Sequence, residues 1–236
     1  CLRPFSRLFA TNYMCCSELA GRWLFGNNKY EQGEVYLLNN AINLNKFVYN
    51  EKIRTLKRKE LNIDDNILVF GNIGRFVEQK NHSFLIDIFC EIHKQKRNSL
   101  LMLVGQGPLE EIIKKKVNDL KLNECVKFLG QRNDVNELYQ VFDAFLLPSL
   151  YEGLPVVGVE AQTASLPCFF SNAMTKEVKV LESTFFLSLN DDSKKWAKEI
   201  VENCESFKRK KTSQEVARKG FSIQEEAKKL SNYYFN

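Results

Sequence analysis

Ile67-Leu68-Val69-Phe70-Gly71-Asn72-Ile73-Gly74-Arg75-Phe76-Val77-Glu78-Gln79-Lys80 decides how this 236-residue chain folds. Residues 67–73 form an apolar run rich in β-branched side chains, the pattern of a buried strand. Phe84, Leu85, Ile88, Phe89 and Ile92 follow at helical spacing. A buried strand, a short loop and an amphipathic helix make the first half of a βαβ unit, because parallel strands need such a crossover. Further strand patterns at 100–104, 126–129, 144–147, 167–170 and 185–189 alternate with helical ones. From Ile67 onward the chain therefore reads as α/β, a Rossmann-like, mostly parallel sheet with helices on both faces.

Arg75 and Lys80 stand five positions apart in the loop that leaves the first of these strands. In open α/β sheets that loop lies at the carboxyl end of a strand, where ligands bind. Gly74 permits close backbone approach, and a helix N-terminus flanked by two cations favours phosphate. The plainer reading makes both residues solvated loop cations. A second segment weighs against it. In Glu152-Gly153-Leu154-Pro155-Val156-Val157-Gly158-Val159-Glu160, seven residues separate two carboxylates. If Pro155 opens a helix, Glu152 sits in the preceding loop and Glu160 in the second turn. Ionised carboxylates accept charge-assisted hydrogen bonds from vicinal hydroxyls. Alone, the two acids read equally well as surface glutamates near a helix start, where the macrodipole favours them. Two cations on one crevice loop and two acids on another shift the balance toward a ligand.

These stretches carry a family resemblance. Gly74-Arg75, with Glu78-Gln79-Lys80-Asn81, resembles the Gly-Arg…Lys loop of the retaining GT-B glycosyltransferases of family GT4. Glu152 through Glu160 resembles that family's E-x7-E motif. Leu103-Val104-Gly105-Gln106-Gly107-Pro108-Leu109 is similar to its strand-turn-helix junction, and Val126-Lys127-Phe128-Leu129-Gly130 to its next strand. Val35-Tyr36-Leu37-Leu38-Asn39-Asn40-Ala41-Ile42 resembles the connection between its two domains. There Asn40 and Asn43 replace the usual glycine and aspartate, a departure that affects the turn. Ser165-Leu166-Pro167 stands where the family often has Gly-Leu-Pro. The resemblance spans roughly residues 10 to 230, and its specificity lies in the order of the motifs.

The resemblance implies the C-terminal, donor-binding half of a GT-B glycosyltransferase. Residues 1–40 would be the tail of an N-terminal acceptor domain plus the connection. Residues 41–222 would be the nucleotide-sugar-binding Rossmann-like domain, and 223–236 a C-terminal helix packing back toward the N-terminal domain. The lack of an initiator methionine fits a truncated or processed chain. Arg75 and Lys80, with the backbone at Gly74, would hold the diphosphate and stabilise its growing charge as the anomeric bond breaks. Glu160 would accept the ribose hydroxyls. Glu152, with backbone groups from Gly153, Leu154, Pro155 and Val156, would hold the sugar. The base would rest near Gln131 and Arg132. Arg75, Lys80 and Glu152 are thus the expected catalytic groups. No metal or other cofactor is expected, and the donor would be a UDP- or GDP-sugar. The acceptor would be a saccharide or a lipid-linked one, in capsular or exopolysaccharide biosynthesis at the inner face of the cell membrane. The fragment alone would bind nucleotide weakly and transfer nothing. A nucleotide-sugar 2-epimerase shares the architecture but relies on further acid/base groups that do not stand out here. A non-catalytic sugar-nucleotide-binding module is the alternative from another class. A dinucleotide-binding dehydrogenase is disfavoured, because no G-x-G-x-x-G follows the first strand.

Composition narrows the field. Hydrophobic residues make up 44% of the chain, with few glycines and prolines, as in an ordered globular protein. No apolar run approaches the ~20 residues that span a bilayer, and residues 1–7 hold no long apolar segment of a secretory signal. Seven cysteines without a CxxC pair read as reduced thiols of a cytoplasmic protein, with Cys90, Cys168 and Cys204 in the core. His82 and His93 are the only histidines, and neither has metal-ligand spacing to a cysteine or acid. His82 reads as a surface residue at a helix start. The net charge is +5, with basic runs at Lys57-Arg58-Lys59, Lys114-Lys115-Lys116 and Lys208-Arg209-Lys210-Lys211. Solvated helix faces are the default reading of such runs. Attraction to an anionic membrane surface comes second. Nucleic-acid binding comes third, since the runs lack interleaved aromatics. Residues 15–25 read as a helix with Leu19, Trp23 and Leu24 on its apolar side, closed by Gly26.

Overall fold

Two parallel sheets organise the described residues, 9–205 and 207–235, of the computed structural model. The smaller sheet pairs β1 (Tyr13–Cys15) with β2 (Val35–Leu37). The larger contains β3 (Leu68–Ile73), β4 (Ser99–Val104), β5 (Val126–Phe128), β6 (Ala144–Leu147), β7 (Cys168–Ser171) and β8 (Thr184–Leu187). Its order is β5-β4-β3-β6-β7-β8, and every neighbouring pair is parallel. The strand segments expected from residue 67 onward all appear, with ends shifted by no more than two residues. From β3 the chain moves outward to β5, then crosses back to β6 and moves outward the other way. The reversal between β3 and β6 is a topological switch point, which opens a crevice at the carboxyl ends of those strands.

Helices cover both faces. Alternation along the strands sorts the core into two layers. Val69, Met102 and Phe145 face the layer of α7 (Val135–Val141), α8 (Val156–Thr163) and α10 (Ser213–Arg218). Phe70, Leu101 and Leu146 face the layer of α5 (His82–Gln95), α6 (Glu110–Asp119) and α9 (Ser193–Glu205). A Cβ on Gly71 would lie 2.2 Å from the Phe142 ring, so glycine in β3 lets that ring rest on the sheet. Asp192 caps α9 by accepting from Lys195 N (2.9 Å). Among the described residues no helix is long and apolar enough to cross a membrane.

The first part of the chain holds α1 (Glu18–Phe25), α2 (Asn27–Glu31), α3 (Leu44–Phe47) and α4 (Glu51–Glu60). Here the sequence reading needs correction. Tyr13–Cys15 is a strand, and the helix begins only at Glu18, where Ser17 Oγ accepts from Ala20 N (3.2 Å). Leu19 and Trp23 are 58% and 57% exposed; Gly21 and Phe25 are the buried positions instead. A Cβ on Gly21 would come within 3.0 Å of the Tyr30 ring, so α1 is set against α2 by its glycine face. The last helix, α11 (Ile223–Phe235), returns to this region. Tyr233 packs its ring 4.8 Å from that of Tyr36 and donates to Asn12 Oδ1 (2.7 Å), while Tyr234 and Phe235 are exposed.

Two basic runs each send side chains inward, while Lys59, Lys208, Lys210 and Lys211 stay exposed as expected. Lys57 and Arg58 are 6% and 2% exposed. The Arg58 guanidinium donates to Val141 O (3.1 Å), Asp64 O (2.7 Å) and Ile67 O (2.8 Å). Arg209 donates to the carbonyls of Tyr139, Gln140, Phe142 and Ala164. The last carbonyls of a helix lack intrahelical donors and carry negative partial charge, and these arginines supply the donors for α7. Cys168 and Cys204 are buried as expected, and so is Cys125; Cys90 is only half-buried, and none of the four is in a disulfide. Cys1 and residues 1–7 lie outside the described residues.

Candidate functional site

The loops that follow β3 and β6 meet at the switch point. Leu150 N donates to Gln79 O (2.8 Å), Gln79 Nε2 to Tyr151 O (3.0 Å) and Asn81 Nδ2 to Pro148 O (3.2 Å). Across this seam Lys80 Nζ meets Glu152 Oε1 at 2.5 Å, with both side chains mostly buried. One cation and one acid of the four charges chosen from sequence are therefore in contact, 72 residues apart in the chain. Asn81 has φ 53°, a left-handed conformation that asparagine tolerates better than most residues. It turns the single 3-10 turn Glu78–Lys80 into α5 and so fixes where Lys80 leaves the backbone.

Gly74, Arg75 and Arg132 line one cavity of about 480 Å³, together with Gln106, Gln131 and Val135. The turn after β4 braces the arch that carries Arg75. A Cβ on Gly105 would lie 2.1 Å from Gly74 O, and one on Gly107 would lie 2.5 Å from Phe76 O. These glycines let two backbones lie against each other, joined by Phe76 N to Gln106 O (3.1 Å) and Leu109 N to Phe76 O (3.0 Å). Arg75 is exposed, and its guanidinium has no hydrogen-bond or ion-pair partner among the described residues.

Arg132 is held firmly. Its Nε and Nη2 grip the two oxygens of Asp134 at 2.7 and 2.6 Å. Asp134 also meets Lys57 Nζ at 2.6 Å, and that ammonium reaches Glu60 and Glu137 at 3.0 Å each. The Arg132 bonds, working against burial and joined by Lys57, hold the Asp134 carboxyl well below the usual carboxylate range. Burial alone would lower the Lys57 ammonium, but its three carboxylate partners outweigh that effect and raise it. Asp134 stands at the N-cap of α7 yet makes no side-chain capping bond, because its carboxylate is engaged elsewhere.

Pro155 is the N-cap of α8, which puts Glu160 in the second turn and Glu152 in the loop before it. Glu160 Oε2 accepts from the Tyr139 hydroxyl (2.9 Å), which also lies 3.1 Å from Val157 O. Burial raises the Glu160 carboxyl above its ordinary range, and the Tyr139 bond opposes that rise. No hydrogen bond or ion pair joins Glu160 directly to Arg75, Lys80 or Glu152 among the described residues. Leu154 and Val156 are partly buried against the core, and around Gly153 there is open space. Gly158 N donates to Pro155 O (2.9 Å), which leaves the N–H groups of Val156 and Val157 without an acceptor within the helix.

His82 is not at the surface. It is 2% exposed, its ring stacks on Phe76 with centroids 4.3 Å apart, and neither ring nitrogen has a partner. Burial first, and the Lys80 charge second, push it down to about 4, so the ring is neutral near pH 7. The stack against Phe76 outweighs the tendency of a helix-start histidine to face water. Gln106 and Tyr139 are lining or supporting groups that the sequence did not single out. The glycines on either side of Gln106 were the available signal; Tyr139 looks like any apolar position of its helix.

Residues 53–219 match the family model described as glycosyl transferases group 1. The chain is 36% identical over 239 residues to a putative glycosyltransferase, EpsF, of Bacillus subtilis, covering 99% of this chain and 62% of that protein. It is 32% identical over 163 residues to the Escherichia coli UDP-Gal:alpha-D-GlcNAc-diphosphoundecaprenol alpha-1,3-galactosyltransferase, covering 67% of this chain and 42% of that one. The crystal structure of Anabaena HepE with UDP and glucose has the same fold, with a TM-score of 0.79 at 20% identity, over 98% of this chain and 64% of that one. The chain thus spans less than two thirds of the length of these relatives.

Proposed function

Because this chain belongs to the glycosyl transferases group 1 family, we propose that it is the donor-binding half of an enzyme that transfers a sugar from a nucleotide diphosphate sugar. The acceptor is a saccharide or a lipid-linked saccharide, the anomeric configuration is retained, and the product is a capsular or exported polysaccharide. The observation that carries this reading is the pairing of Lys80 with Glu152 across the switch point, beside a cavity where Arg75 has no partner. On this reading residues 41–222 hold the donor, while 1–40 and 223–236 belong with the acceptor domain. Membership in the family supports the reaction class. The names of relatives that act on UDP-Gal and a diphosphoundecaprenol, or that bind UDP and glucose, favour a UDP-sugar and a lipid-linked acceptor. The enzyme then works at the cytoplasmic face of the membrane.

Each group has a chemical task. Arg75 offers its guanidinium donors to the diphosphate, and Lys80 adds a point charge beside it. As the anomeric C–O bond breaks, negative charge grows on the leaving diphosphate, and these preorganised cations stabilise it without a divalent metal. Glu152, positioned by Lys80, accepts from sugar hydroxyls next to the first-turn amides of α8. Glu160, oriented by Tyr139, accepts from the ribose. Calorimetric titration of the chain with UDP, GDP and their glucose conjugates tests the reading. Weak binding of at least one nucleotide, lost in Arg75→Ala, is the expected result. No heat with any of the four ligands would remove the basis of the proposal. Product analysis by NMR on the longer enzyme separates transfer from epimerisation.

A further inference from the structure

We propose that Lys57 and Asp134 form a clamp that fixes the Arg132 guanidinium as a planar seat for the nucleobase, and that this clamp sets the preference for a whole nucleotide over bare diphosphate. The proposal rests on the nucleotide-sugar reading above. Two cations line the cavity, but they are prepared for different ligands. Arg75 has all its donors available. Arg132 has one edge taken by both oxygens of Asp134. It can offer the cavity its flat face and the far terminal nitrogen, and not the full fork that a phosphate accepts from two sides. Its charge is also balanced at short range. The wall beside it is mixed: Ile73, Val104 and Val135 give it apolar surface, and Gln106 and Gln131 give it amide groups that can pair with a ring's edge. Such surroundings suit a heteroaromatic ring stacked on a guanidinium plane and disfavour a bare anion.

Lys57 explains why the clamp holds. Asp134 would otherwise be free to turn about its side-chain bonds and take Arg132 with it. Lys57, anchored on α4 between Glu60 and Glu137, grips the same oxygen that Arg132 Nη2 grips. The plane of Arg132 is thereby tied to two packed helices, α4 and α7. Asp134 and Lys57 are positioning residues in this scheme, and Arg132 alone meets the ligand.

The test measures binding of UDP and of inorganic pyrophosphate to the chain by calorimetry, and reads the ratio of the two affinities. A general loss of folded protein weakens both ligands and leaves the ratio unchanged. Asp134→Ala is expected to weaken UDP about tenfold and leave pyrophosphate alone, the loss of one guanidinium–ring contact. Arg132→Lys, which keeps the charge without the plane, is expected to do the same, and it covers the case in which Asp134→Ala does not fold. Lys57→Met moves the ratio in the same direction by less. Arg75→Ala weakens both ligands together. A ratio unaltered in Asp134→Ala or Arg132→Lys overturns the clamp. So does wild-type protein that binds UDP no better than pyrophosphate. Wild-type protein that binds neither overturns the nucleotide-sugar reading, and the clamp with it.

Discussion

The two ends of the central sheet use arginine in opposite ways. At the amino ends of β3 and β6, three arginines converge on the last turn of α7. Arg54 Nη1 donates to the carbonyls of Gln140 (2.9 Å), Val141 (2.9 Å) and Phe142 (3.1 Å), and its Nη2 meets Asp143 at 2.6 Å. Arg58 and Arg209 bind further carbonyls of the same region. Among the described residues Asp143 is the single carboxylate that these arginines contact, and it also accepts from Val69 N (2.7 Å). At the carboxyl ends, 74–80 and 131–132 present Arg75 with no partner and Arg132 with one edge still open. The amino end is chemically closed, because each cation answers carbonyls that a helix terminus leaves unpaired. The carboxyl end is chemically open. A cation whose terminal nitrogens are taken by carbonyls and a carboxylate is part of the framework, even though Arg58 Nε is left without a partner; a cation whose terminal nitrogens are open is prepared for something that arrives.

This contrast can be broken most directly at the amino end. Arg209→Met removes the side-chain donor from Tyr139 O and Ala164 O in a region where burial already pushes Arg209 down to about 9. The loss of stability is expected to be about 3–4 kcal/mol, from unsatisfied buried acceptors and a broken charged network. Urea denaturation reads it, and a loss below about 1 kcal/mol would mean that the arginines are surface decoration after all. Nucleotide affinity, measured on the folded variant, should not change.

Acid should separate the two ends next. His82 has a folded pKa near 4 and an ordinary unfolded value of about 6.5, so the unfolded chain binds the extra proton first. Stability from this group is complete above about pH 6.5 and falls as the pH drops toward 4, by about 3 kcal/mol in all. Arg209 stays charged throughout that window and contributes no slope. Comparing denaturation midpoints from pH 7 to 4 for the wild type and His82→Phe checks this. Parallel pH profiles would show that the ring finds a proton-tolerant partner.

Arg75→Ala is the mirror image of Arg209→Met. With no contacts to lose, it should change stability by less than about 0.5 kcal/mol. Binding of a diphosphate nucleotide should weaken by about 1.5–3 kcal/mol, the range for hydrogen bonds to charged groups. In the longer enzyme Lys80→Ala should lower the transfer rate by roughly ten- to a hundredfold or more. Single-turnover assays measure that change; a rate that survives intact removes Lys80 from the chemistry.

The open end was far more legible in the sequence than the closed one, and the reason is locality. Residues 67–80 and 152–160 write strand, loop and helix start in consecutive letters, so their cations and acids could be assigned to crevice loops directly. The positions of the strands followed from hydrophobic runs of ordinary length. Arg58 and Arg209 reach carbonyls as far as 83 and 70 residues away, and a backbone carbonyl, near or far, has no signature in sequence. The same runs therefore read as solvated charge. His82 failed similarly, since its burial depends on Phe76 folding back over it. Leu19 and Trp23 failed in the other direction. Their spacing is helical and apolar, but the helix turns its glycine inward and leaves them exposed.

The smallest effect lies where the closed end departs from the family pattern. Ser165 occupies a position with φ 58°, a left-handed conformation in which a side chain costs about 1–2 kcal/mol and glycine costs nothing. Its hydroxyl accepts from Lys210 N (3.0 Å), next to the Arg209 that binds Ala164 O (3.0 Å). Serine thus trades strain for a bond that fastens the 209–210 strap to the sheet. Ser165→Gly relieves the strain but loses that bond, about 0.5–1.5 kcal/mol. It also loosens the unfolded chain, at a further 0.4–1 kcal/mol or so. These terms nearly cancel, and a net loss of less than about 1 kcal/mol is expected. A gain of more than about 1 kcal/mol in urea denaturation would show that the strap does not depend on the hydroxyl. The closure of the amino end would then rest on the arginines alone.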